Sequence, residues 1–106
     1  MILTTTETVP GRETREILGI VAGEAVLGMH MFRDLFAGLR DIVGGRAGGY
    51  QSALREAREA ALADMAEEAK KLGADAILAI DIDYEVMGER GSMLMVSANG
   101  TAVRLR

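Results

Sequence analysis

The 106-residue chain contains no cysteine, which removes disulfides, thiolate metal ligands and cysteine nucleophiles together. Stability must therefore come from packing or from partner subunits. Tryptophan is also absent, and the aromatic residues are 2 Tyr and 2 Phe. The core has to be filled by Ile, Leu, Val, Met and Ala, and no aromatic platform exists on which bases could stack. There is no run of basic residues, and the formal net charge is -4. Duplex binding draws on Lys and Arg to neutralise phosphates, so nucleic acid is not an expected partner. With 1 His and no Ser/His/Asp spacing that favours a triad, the expectation is a protein that is not an enzyme and carries no cofactor. Met1-Ile2-Leu3 runs straight into Thr4-Thr5-Thr6-Glu7, without the basic and apolar regions of a signal peptide. No apolar run is long enough to span a bilayer. A soluble, cytoplasmic protein with no membrane partner is expected.

Hydrophobic residues make up 49% of the chain and charged residues 26%, a composition that folds, and the length suits a single domain over residues 1–106. Ile2 to Thr6 reads as a short strand, and Pro10-Gly11 as a turn. The nearly continuous apolar stretch from Thr14 to Leu27 reads as a long strand, bent or bulged at Gly19 and Gly23. Phe32, Leu35, Phe36, Leu39, Ile42 and Val43 recur at helical spacing. Four glycines between Gly44 and Gly49 then end that helix. A second helix is predicted from about Tyr50 to Leu72, with Leu54, Ala57, Ala61, Leu62, Met65, Ala69 and Leu72 on one face and Gly73 as its C-cap. On its charged face, Glu67 and Lys71 have the favourable i, i+4 order.

Asp75 to Val86 alternates as a strand, with Ala76, Leu78, Ile80, Ile82, Tyr84 and Val86 on one face. A hairpin through Met87–Gly91 leads to a last strand, Ser92 to Arg104, in which Asn99-Gly100 marks a bulge. The fold class is therefore α+β: two hairpin-like strand pairs flank a helical pair, in an antiparallel or mixed sheet with two helices on one face.

Three sets of residues could bind ions. Met29-His30-Met31 and Met93-Leu94-Met95 offer thioethers and an imidazole to a soft metal, but methionines also fill core gaps, and the first cluster is expected not to be a metal site. Asp81, Asp83 and Glu85 project from one strand face at intervals of about 6.5 to 7 Å, too widely spaced to chelate one ion unless symmetry brings copies together. The other reading is a solvated face or salt bridges to a neighbouring subunit. Gly44–Gly49 with Arg46 precedes a helix N-terminus and would suit an anion, or would serve only as a helix connection. Glu24, Asp34, Asp41 and Tyr50 could exchange protons only where buried.

Gly23-Glu24-Ala25-Val26-Leu27-Gly28, Phe32-Arg33-Asp34 with Phe36-Ala37, and Arg40-Asp41-Ile42-Val43-Gly44-Gly45-Arg46 with Gly48 and Tyr50 form a set of motifs in order along the chain. Gly73-Ala74-Asp75-Ala76, Asp81-Ile82-Asp83-Tyr84-Glu85, Gly91-Ser92-Met93-Leu94-Met95-Val96 and Gly100-Thr101-Ala102-Val103 continue it. Together they resemble the YbjQ family of small bacterial and archaeal proteins over nearly the whole chain. The resemblance implies an α+β subunit of a homopentamer and carries the label heavy-metal-binding. The expected function is accordingly a homo-oligomeric, non-catalytic binding or scaffolding module whose partner is itself. The alternatives are a metal-binding protein and an enzyme using carboxylates at a subunit junction. The candidate ligand or interface residues are Glu24, Arg33, Asp34, Arg40, Asp41, Arg46 and Tyr50, with Arg33-Asp34, Arg40-Asp41 and Arg46 expected to pair across subunit interfaces.

Overall fold

The computed structural model describes residues 1–28, 48–89 and 93–106, the side chains of 48–50 excepted. Its elements are β1 (Ile2–Leu3), β2 (Thr14–Leu27), α1 (Gly48–Lys71), β3 (Ala76–Met87) and β4 (Met93–Leu105). The strands form one mixed sheet in the order β1-β3-β4-β2. β1 runs parallel to β3, while β4 is antiparallel to both β3 and β2. The expected helix over Phe32–Val43 lies outside the described residues, so the layer described on the sheet is α1 alone.

α1 packs because Ala53, Ala57, Ala61, Met65 and Ala69 recur every four residues and are all buried, forming the narrow apolar stripe of an amphipathic helix. The alanines let the helix lie close on β2, and Gly23 completes the fit. A Cβ at position 23 would run into the backbone of Ala61 and Met65 and sit 3.0 Å from the Met65 Cα. Gly23 is therefore a point of close approach and not the bend or bulge expected from the sequence. The bulges of β2 fall between Thr14 and Glu16 and between Ile17 and Gly19, the second using Gly19 at φ 142°.

The helix ends as expected at Gly73, whose φ of 78° is left-handed and suits glycine. Gly73 N–H donates to Lys70 O at 3.0 Å and Ala74 N–H to Ala69 O at 3.1 Å, satisfying carbonyls the helix would otherwise leave open. Arg104 Nε donates to Gly73 O at 3.2 Å, and its Nη1 reaches Glu16 Oε2 at 3.2 Å, tying the helix end to the two strands. On the solvated face the ion pairs are Glu67–Lys70 and Glu68–Lys71 at i, i+3, and not the Glu67–Lys71 pair the sequence suggests. Exposed pairs of this kind contribute at most about 1 kcal/mol.

Four other expectations are corrected. β1 and β2 do not pair as a hairpin, since they lie at opposite edges of the sheet. Ile2 and Val9 pack on a second core of Ala76, Leu78, Val103 and Leu105, so the N-terminal segment covers that end of the helix-free face before entering β2. Only Ile2–Leu3 is strand, although Thr4 and Thr6 still bond to Ile77, Ala79 and Ile80.

The bulge expected at Asn99-Gly100 belongs instead to β3. Leu78 faces Thr101 and Asp81 faces Asn99, leaving an extra residue at Ala79–Ile80 opposite Gly100. Ala79 takes φ 52° there, and a Cβ on Gly100 would come within 2.6 Å of Ile77 Cγ2 and 3.0 Å of Leu78 O.

That bulge also breaks the single face read along β3. Ile77, Ile80 and Ile82 belong to the core beneath α1, whereas Ala76 and Leu78 belong to the second core on the other side. One inserted residue exchanges the two faces of a strand. Asp81, Asp83 and Glu85 thus continue the face of Leu78, away from the helix.

Candidate functional site

Among the described residues, the face of the sheet away from α1, the helix-free face, is covered by the N-terminal segment at one end and left uncovered at the other. Strand registers place its bare rows: Asp81 beside Asn99 and Ala22, Asp83 beside Ser97 and Glu24, Glu85 beside Met95 and Val26. Ile20, next along this face of β2, is 85% exposed, Ile17 is 72% exposed and Val26 53%. Single exposed apolar residues are ordinary, but several lined along one strand face mark a surface that meets something. β2 is moreover an edge strand of 14 residues. Its outer edge touches α1 where Glu24 N–H donates to Asp64 Oδ2 at 3.1 Å. Beside that bond a cleft of about 470 Å³ is lined by Ile20, Ala22, Glu24, Asp64, Glu68 and Leu72, among others.

On β3, Asp83 holds its proton above the ordinary aspartate range, first through a hydrogen bond with the Asp81 side chain, then through the charge of Asp81, with desolvation and the charge of Glu85 adding less. A folded-state value raised in this way means that ionising Asp83 at neutral pH opposes folding, and that the opposition fades as pH falls through the raised value. Asp83→Asn should accordingly melt above the parent protein at neutral pH, with the gap closing as pH drops toward the ordinary aspartate range. Thermal melts at a series of pH values check this.

Of the residues singled out from the sequence, the structure places Glu24, Asp81, Asp83 and Glu85 together on this face. Arg33, Asp34, Arg40, Asp41 and Arg46, with Met29-His30-Met31, lie outside the described residues, as does most of the glycine-rich connection. Tyr50 lies in the first turn of α1, its side chain undescribed. Sequence reasoning missed Ile17, Ile20 and Val26 as surface residues. Their signal was the glycine-broken apolar run of β2, which reads equally well as a strand buried on both faces.

Among the described residues no group of three or more His, Cys, Asp or Glu is placed to hold one metal ion. The described carboxylates are hard oxygen donors, whereas heavy metals favour sulfur and nitrogen, so these carboxylates by themselves do not fit a heavy-metal centre; Met95, beside Glu85, brings a single thioether to the same face. Among the described residues no helix is long and apolar enough to cross a membrane.

A family model described as "Putative heavy-metal-binding" matches residues 1–106. The chain is also similar to a crystal structure of a protein of unknown function from Pediococcus pentosaceus, a member of the DUF74 family. The identity is 18% and the TM-score 0.68, covering 100% of this chain and 98% of the other. At that identity the likeness is one of fold.

Proposed function

Because the chain belongs to the YbjQ family, we propose that it works as a homo-oligomeric, non-catalytic binding or scaffolding module, assembled as a pentamer. The observation that supports this reading is the row of exposed apolar residues Ile17, Ile20 and Val26 on edge strand β2. A chain with no disulfide to stabilise it gains by burying such residues: a fully covered Val or Ile contributes about 1.5–3 kcal/mol. A second copy is the partner always at hand, and repeated subunit contacts that close on themselves give a ring. The carboxylates of Glu24, Asp81 and Asp83 are solvated, and an exposed charged surface of this kind suits binding.

The test is Ile20→Asp. The parent protein should sediment as an oligomer at micromolar concentration and the variant as a folded monomer with an unchanged helical signal. A monomeric parent would defeat the proposal.

A further inference from the structure

Any surface that covers both Ile20 and Val26 must also cover Glu24, because residues 20, 22, 24 and 26 of β2 alternate onto the same face. Glu24 is not the only charge there. Across Ser97 lies Asp83, flanked by Asp81 and Glu85, so the bare end carries four carboxylates. Residues 16–27, 76–87 and 93–103 contain no lysine or arginine, so these strand segments bring no cation to that face. An isologous contact, in which this face met its own copy, would set four carboxylates against four. Like charges across an interface cost several kcal/mol.

The other end of the same sheet carries the cations that this face lacks, in slight excess over its carboxylates. Arg12, Arg15, Arg104 and Arg106 gather where β2 begins and β4 ends, against Glu13, Glu16 and Asp75, whose carboxylate accepts from Leu105 N–H at 2.8 Å. Arg12 Nε donates to Arg106 O at 3.2 Å, and both residues line an open recess of about 700 Å³ with Val9 and Pro10. Arg104 is engaged by Glu16 and Gly73, and Arg106 by Glu13. Arg15 is exposed and has no ion pair among the described residues.

Resting on the self-association reading above, we infer that the acidic, apolar end of the helix-free face receives the arginine-bearing end of a second copy, with Arg15 meeting Glu24 and its neighbouring carboxylates. The contact is head to tail, its two sides being different surfaces of the chain. It needs no other protein to supply the cation. Charge pairs of this kind are screened by salt, so assembly weakens as ionic strength rises.

The experiment is a charge swap read by sedimentation velocity, with thermal melts to confirm folding. Glu24→Lys and Arg15→Glu should each weaken self-association about tenfold or more, and the double variant should recover most of the loss. If the parent assembles and Ile20→Asp dissociates it, but either single reversal has no effect or the double variant fails to recover, the head-to-tail contact is wrong and self-association stands. If the parent is a monomer, both readings fall. Dilution calorimetry of a folded Glu24→Gln variant against the parent, each measured alone, gives a second readout, since neutralisation weakens self-association only if a cation faces Glu24. Association unchanged or tightened by Glu24→Gln overturns the inference.

Discussion

Replacing Gly23 by valine should loosen α1 from the sheet and lower the melting temperature by more than about 10 °C, a cost near the upper end of the roughly 1–3 kcal/mol of overpacking. The obstacle is backbone and not a side chain that could swing aside: the new Cβ meets Ala61 and Met65 main-chain atoms. Relief requires the helix to move outward, and that would open gaps beside Ala57, Ala61 and Ala69, which are too small to refill them. Gly28→Ala is the control, because a Cβ there meets nothing within 4 Å, and it should change stability by no more than about 0.5 kcal/mol. Calorimetric melts of both variants check the contrast.

Met65→Ala should cost about 2–5 kcal/mol. Met65 is 0% exposed and is the one long side chain on the buried stripe of α1, between Ala61 and Ala69. It fills the space beneath the helix that alanines cannot reach, sharing a core with Val21, Ile77, Val96 and Ala98. Its neighbours on the helix stripe, Ala61 and Ala69, are too small to refill the void, so the loss depends on how far the strand side chains can shift into it. Met65→Leu keeps the volume and should stay within about 1.5 kcal/mol. Urea unfolding curves of unchanged slope would assign the difference to native packing.

Much of this architecture was legible in the sequence, because long elements with strong periodicity declare themselves. Thr14–Leu27 has the limits that its apolar run suggests, and α1 and β4 begin and end within two residues of their expected bounds. The glycine at the end of α1 was readable because only one backbone conformation there explains it. What stayed hidden depended on contacts distant in sequence. Gly23 looks like a kink until Ala61 is laid against it. The Ala79–Ile80 bulge leaves no mark on a hydrophobic run that reads well without it, yet it decides which side of the sheet carries Asp81, Asp83 and Glu85. The partner of β1 was misjudged for a related reason: a Pro-Gly turn announces a reversal of the chain but not which strand the chain has just left. At the candidate site, the charged residues were visible as letters, whereas their assembly into one acidic face required the register of three strands.

The position of β4 has a consequence for when the fold can form. It is the strand that every long pairing in the sheet requires, and it follows all the others in the chain. Residues 14–27 wait for partners at 94–105, nearly the whole length of the chain away, and contacts of such separation are slow to close. During synthesis the apolar β2 therefore emerges long before anything can pair with it, and the β3–β4 hairpin must be complete before it has a template to join. The nascent chain passes through a stage in which its longest strand is unpaired on both edges, when it is most exposed to capture by chaperones or by other copies of itself.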